Sequence, residues 1–183
     1  VSGTLRLHED WLLAQPKYQD PRSLARYRAQ VCSQNGEDGI IAEIFRRIWP
    51  QDKTFVEIGA GGGDENNTRF LLESDWRGIW WEASESNCAT IRETCRDELE
   101  GGMLRIIQGM VTRENVVDEL RTTGCPTEFD LLSIDIDMNT SHIWRALSGF
   151  KPRVAVIEYN PALGPVIDWE VEYDPRAVWT GDN

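Results

Sequence analysis

Five short apolar runs punctuate the chain, and between them apolar residues recur at helical spacing. The runs are Thr54–Ile58 (TFVEI), Gly78–Glu82 (GIWWE), Met103–Gln108 (MLRIIQ), Phe129–Asp135 (FDLLSID) and Val154–Tyr159 (VAVIEY). Their length, their β-branched and aromatic content and their polar or glycine-rich borders predict strands. Ile40–Trp49 puts Ile41, Ile44, Phe45 and Ile48 on one helical face and stops at Pro50 and Asp52. Asn66 or Asn67 is placed to cap a helix carrying Phe70, Leu71 and Leu72, and Ser84 or Ser86 one that reaches about Leu99. Val116–Leu120 lies in a further helix ending near Gly124, and Thr140–Leu147 is the last. Strand and helix thus alternate for five rounds. That pattern predicts a doubly wound α/β fold, a mainly parallel sheet with helices on both faces and right-handed crossovers. Residues 1–30, where Leu5, Leu7, Trp11, Leu12, Leu13, Leu24 and Tyr27 are interrupted by Pro16 and Pro21, read as an N-terminal extension of short helices on a single domain, 31–183.

Ligands of such sheets bind outside the carboxyl ends of the strands, at the point where strand order reverses. Here all five ends are polar or glycine-rich: Glu57–Gly63, Glu82, Gln108–Met110, Asp135–Asp137 and Glu158–Asn160. The first reads E-I-G-A-G-G-G-D, an acid followed by glycines at alternate positions, as many methyltransferases open an S-adenosylmethionine (SAM) site. A nicotinamide-binding loop, G-x-G-x-x-G, would place its third glycine where Asp64 stands. Acids at 57 and 64 also oppose a pyrophosphate but suit the sulfonium and ammonium of SAM. Glu57, Gly59, Gly61 and Glu82 are therefore the expected cofactor contacts. Glu82 is placed to accept from both ribose hydroxyls, a contact that NAD sites share. Gln108, Gly109 and Met110 close the third strand where the adenine is expected, although plain loop residues read equally well there.

Asp135, Asp137, Glu158 and Asn160 form a second cluster, on the ends of strands four and five. Carboxylates with an amide oxygen suit a hard cation such as Mg²⁺, with Asp135, Glu158 and Asn160 as its ligands. Without a metal the same carboxylates would act as general base or bind the substrate. Asp135, Asp137 and His142 are the catalytic candidates, and an exposed helical histidine is the bland alternative for His142.

The wider composition narrows the partners. With a net charge of −12 over 183 residues and no Lys/Arg run, the chain lacks the basic surface that a nucleic acid or an anionic membrane demands, and a small-molecule substrate fits better. No apolar stretch approaches the length of a membrane span, and the first residues lack the layout of a signal peptide. The cysteines at 32, 88, 95 and 125 form no C-x-x-C pair, and Cys88 and Cys95 fall seven apart on one helix. They read as reduced thiols of a cytoplasmic protein.

Taken together, SQNGEDGI (33–40), FVEIGAGGGDENNTRFL (55–71), WRGIWWEAS (76–84), FDLLSIDID (129–137) and PRVAVIEYNP (152–161) resemble the FkbM-type methyltransferases, a branch of the class I SAM-dependent fold. The resemblance implies SAM as cofactor and O-methylation of a hydroxyl, often on a sugar or natural product. It also implies that Gln34 and the Glu37–Asp38 pair close over the cofactor and that Asn67 and Thr68 steady the turn after the glycines. The acidic pair near strand four is similar to the magnesium site of catechol-type O-methyltransferases, although Glu-Tyr-Asn here is one residue wider than their Asp-Asn. Met138 and Asn139 stand where the family more often has a glycine. Only 24 residues follow Tyr159, fewer than the last two strands of a class I sheet need, so truncation after 183 is expected. A non-catalytic SAM-fold scaffold and a nicotinamide-dependent oxidoreductase are the alternatives.

Overall fold

The computed structural model describes residues 11–159 and 167–177. Among them, five strands form one parallel sheet: β1 Thr54–Ile58, β2 Arg77–Glu82, β3 Leu104–Gln108, β4 Glu128–Ile134 and β5 Lys151–Ile157, in the order β3-β2-β1-β4-β5. The chain first steps outward from β1 to β3, then returns to the other side of β1 for β4 and β5. The order reverses between β1 and β4. Helices α1 Glu37–Ile48, α2 Arg69–Leu72, α3 Glu85–Thr94, α4 Arg96–Glu100, α5 Val116–Thr122 and α6 Thr140–Ala146 fill the connections.

Two cores follow from the period of two along each strand. Val56, Ile58, Ile79, Trp81, Leu132 and Ile134 face α5 and α6, where Val116, Leu120 and Ile143 close the layer. Their neighbours Phe55, Trp80, Leu104 and Leu131 point the other way, against Ile41 and Phe45 of α1, Leu71 and Leu72 of α2, and Ile91 of α3. The central strands are buried almost throughout, as sheets covered on both faces require.

Several boundaries differ from the pattern-based reading for identifiable reasons. β5 begins at Lys151, so Glu158 and Tyr159 lie just beyond it. Pro152 hides that start in the sequence, yet a strand with no further neighbour among the described residues tolerates a missing N–H. α1 begins three residues early because Asp38 is buried, and its Oδ2 accepts from the main-chain N–H groups of Val31, Cys32 and Ser33 at 2.7–2.8 Å. The 31–39 loop therefore winds around Asp38, whose Oδ1 has no partner and which lines neither cavity described below. Neither Asn66 nor Asn67 caps α2; Thr68 occupies that position. Ser84 caps α3 by accepting from the N–H of Asn87, and the helix breaks at Cys95 before α4. The extension shows 3₁₀ turns at Pro16–Tyr18 and Ala25–Tyr27, while Leu5, Leu7 and Asn160 lie outside the described residues. All four cysteines are free. Among the described residues no helix is long and apolar enough to cross a membrane.

One buried carboxylate ties the amino ends of the strands together. Asp130 of β4 accepts from the N–H groups of Gln51, Asp52 and Lys53, each with a contact of 2.8 Å, and from Arg153 of β5 at 2.8 Å. Arg153 also donates to the carbonyls of Ile48 and Trp49, capping the end of α1. Burial pushes the Asp130 carboxyl up, but the three N–H groups and Arg153 outweigh it and hold it below the usual range. Asp130→Ala strands these donors, and urea unfolding is expected to show a loss of about 3 kcal/mol.

Candidate functional site

The turn from β1 into α2 is built around Glu57, which is 1% exposed. Its Oε1 accepts from the N–H of Asn67 at 2.9 Å, and its Oε2 from the N–H and hydroxyl of Thr68 at 3.1 and 2.5 Å. Asn67 Nδ2 donates to Ser133 Oγ on β4, and the Trp80 indole N–H to Thr68 Oγ1. Glu57 thus fastens the far end of the glycine loop to the sheet. The glycines have separate reasons. A Cβ on Gly59 would come within 1.8 Å of the Asp135 carbonyl oxygen, and one on Gly63 within 2.7 Å of the Trp80 ring. Gly61, at φ +58, faces open space.

That open space is two cavities meeting at the switch point. The larger, about 650 Å³, is lined by Gln34, Glu37, Glu57, Asp64, Glu65, Asn66, Asn67, Glu158 and Tyr159, among others. The smaller, about 290 Å³, is lined by Trp81, Glu82, Gly109, Met110, Val111, Ile136, Asp137, Asn139 and Ala177, among others. Gly59, Gly61 and Asp135 belong to both walls. Glu82, in the wall of the smaller one, holds the loop they share: its Oε2 accepts from the Gly61 N–H at 2.8 Å and its Oε1 from the Ser84 N–H at 2.7 Å. Gly109 reaches the same level because its N–H donates to the Glu82 carbonyl, while the Trp81 indole donates to the Gly109 carbonyl.

Most residues named from the sequence converge here; among the described residues Gln108, His142, Asp38 and Thr68 line neither cavity. Gln108 is exposed, accepts from Arg92 at 2.7 Å and lines neither cavity, because the strand's alternation turns it outward. His142 also lines neither; its Nε2 pairs with the carbonyl of Val171 at 2.8 Å and its ring packs 5.2 Å from that of Tyr173. Sequence reasoning missed Asn66, Asn139 and Ala177 as lining residues. Asn66 was read as a cap, yet neither atom of its buried amide has a partner.

The carboxylates of the larger cavity perturb one another. Burial pushes the Asp135 carboxyl up, and Asp137 and Glu37 add to it, while a hydrogen bond with Glu158 works the other way. Burial raises Glu158 as well, with Asp135 and Asp137 adding repulsion. The Asp137 N–H donates to Glu158 Oε2 at 3.2 Å, from a backbone at φ +53. Both carboxyls therefore hold a proton more readily than a free carboxyl does. For a metal, Asp135 and Glu158 supply two oxygen ligands and the third expected one, Asn160, lies outside the described residues; among those residues no group of three or more suitable side chains occurs.

No protein-family model matches the chain, and no curated protein sequence does. Solved structures do. A candidate O-methyltransferase from Klebsiella pneumoniae aligns at 19% identity with a TM-score of 0.50, covering 79% of this chain and 67% of that one. An O-methyltransferase from Bacillus cereus, determined in complex with SAH, aligns at 18% identity and a TM-score of 0.50, covering 69% and 56%. This chain has a class I methyltransferase-like fold. It spans 67% of the length of the first and 56% of the second. The two cavities lie where that fold's strand order reverses, at the carboxyl ends of β1, β2 and β4.

Burial pushes the Glu57 carboxyl up to about 7, against the hydrogen bonds that favour its anion. The sign follows from linkage. Between the unfolded value and about 7 the folded chain binds the proton more tightly, so stability falls as pH rises through that window. Melting curves are expected to drop from pH 5 to 7.5, by an amount on the order of 3 kcal/mol, and Glu57→Gln is expected to flatten that slope.

Proposed function

We propose that the chain binds SAM across the two cavities and methylates a hydroxyl oxygen of a small molecule such as a sugar or natural product. The observation that carries this reading is the junction at Gly61, where bare backbone, pinned by Glu82, separates an apolar slot from an acidic chamber. The slot, with Trp81, Met110 and Val111, suits an adenine, and Glu82 at its edge suits the ribose hydroxyls once it gives up part of its hold on the loop. The chamber suits the ammonium and sulfonium. When bound, SAM supplies a methyl group that the acceptor oxygen takes in line from sulfur. The FkbM-type motifs, the class I fold and the O-methyltransferase neighbours support the same reading.

The residues supply placement and a proton sink. The acceptor hydroxyl must lose its proton as the carbon–oxygen bond forms, and the Asp135 and Glu158 carboxylates, made more basic by burial, are the groups in the chamber placed to receive it. Asp137 positions Glu158 through its main-chain N–H. Tyr159, 79% exposed at the rim, offers a flat face to the acceptor. Magnesium, where bound, would draw on Asp135 and Glu158. A nicotinamide cofactor fits less well, because Asp64 and Glu65 stand where a pyrophosphate would need N–H groups and no carboxylates.

Calorimetry with SAM, S-adenosylhomocysteine and NAD tests the assignment: the first two are expected to bind and raise the melting temperature. A melting temperature that responds to NAD alone would end the methyltransferase reading, and binding without turnover across a panel of hydroxyl acceptors would favour a scaffold. Glu82→Ala is expected to weaken SAM binding about tenfold or more, whereas Glu85→Ala, outside both cavities, leaves it unchanged.

A further inference from the structure

Asn139 ends the 3₁₀ turn Asp137–Asn139, lines the smaller cavity and is 5% exposed. Its amide is half used. Nδ2 donates to the main-chain carbonyl of Asp174 at 2.8 Å, while Oδ1 has no partner. A carbonyl oxygen only accepts, so the nitrogen of this amide has to face Asp174 and the orientation of the group is fixed. What remains is an acceptor. A buried acceptor without a donor is costly, and native proteins keep few of them.

The carbonyl that sets this orientation belongs to a strap. Residues 167–177 have no helix or strand, yet they are anchored along α6 and on the turn before α5. Glu170 accepts from Ser141 and pairs with Arg145, and the Val171 carbonyl meets His142. The Tyr173 hydroxyl donates to Glu114, and the Arg113 guanidinium lies 4.1 Å over the Tyr173 ring. These anchors bring Asp174 to Asn139 and Ala177 into the wall of the slot.

We infer that Asn139 Oδ1 reads the exocyclic amino group of the cofactor's adenine, with the strap holding the amide in its reading orientation. This rests on the SAM reading above. Any purine satisfies the apolar contact from Trp81, Met110 and Val111, so discrimination falls to the slot's polar groups. Glu82 is taken by the Gly61 and Ser84 N–H groups, Asp135 and Asp137 sit on the side of the larger cavity's acids, and Asn139 Oδ1 is a buried acceptor with no donor. An amino group at purine C6 donates to Oδ1. An oxo group there sets two acceptors against each other, and Asn139 cannot turn to offer its nitrogen without losing Asp174.

The test compares S-adenosylhomocysteine with S-inosylhomocysteine, which carries oxygen in place of the amino group, by calorimetry on the full chain. The wild-type chain is expected to prefer the adenosyl compound about tenfold or more. In Asn139→Leu the preference should shrink to within about twofold while both compounds still bind, and Tyr173→Phe, which releases Glu114, should narrow it in the same direction. Should Asn139→Leu not fold, Asn139→Ala carries the same expectation. Equal affinities in the wild-type chain, or an undiminished preference in the Asn139 variant, would overturn the inference while leaving the cofactor in place. If S-adenosylhomocysteine does not bind the wild-type chain, the cofactor reading itself fails and takes this inference with it.

Discussion

The contact on which the site depends is between Gly59 and the end of β4. Strand β1 pairs with both β2 and β4, so the residue after β1 leaves the sheet at its centre, where the strand order reverses. The main chain of Asp135 passes there so closely that no side chain fits on Gly59. One consequence is that the Asp135 side chain is delivered beside the glycine loop. Another is that the loop is thrown outward, leaving Gly61 between two cavities. Glu57 and Glu82 then fix the loop from opposite sides, one from beneath at Asn67 and Thr68, the other through the Gly61 N–H. Backbone proximity therefore precedes the chemistry: the acid of β4 faces the loop because the two strands meet there.

The same geometry explains what the sequence made legible. Parallel strands buried on both faces announce themselves as apolar runs, so β1 was readable to the residue and β2–β4 to within one position. The strand ends could be gathered into one site because a doubly wound sheet has one switch point. Harder to read were features that depend on distant partners. Glu57 and Asp38 look like free acids in the sequence, but each accepts main-chain N–H groups that only folding brings near. Gln108 and Gly109 are adjacent, yet the alternation of β3 sends one outward to Arg92 and the turn sends the other to the slot. Residues 167–177 carry no periodicity, and their anchors on Glu114, Ser141 and Arg145 are separated from them by 25 residues or more.

Asp130 shows the other use of a buried acid. Like Glu57 it sits on a central strand and accepts several N–H groups, but at the opposite end of the sheet, and it has a cation beside it. At Asp130 the N–H groups of Gln51, Asp52 and Lys53 together with Arg153 outweigh burial and hold the carboxyl low, whereas at Glu57 burial wins and pushes it up to about 7. The amino ends of the strands are thus locked by a paired charge, while the chamber at the carboxyl ends gathers acids, with Arg28 on the same wall. Such a concentration of carboxylates adds little to stability and suits receiving a proton or a positive charge.

The charge of that chamber also bears on turnover under the proposed reading. Glu37, Asp64, Glu65, Asp135 and Glu158 line it, and Arg28, which also lines it, already donates to the Asn35 carbonyl. Methyl transfer removes the positive charge from sulfur, so acids around the sulfonium hold the reactant more firmly than the neutral thioether product. That helps exchange, but it works against the chemical step, in which the charge is already being lost, because binding that favours the ground state does not accelerate a reaction. What the acids offer the chemical step is basicity: burial and neighbouring carboxylates raise the Asp135 and Glu158 carboxyls above the usual range, which suits them to take the acceptor's proton.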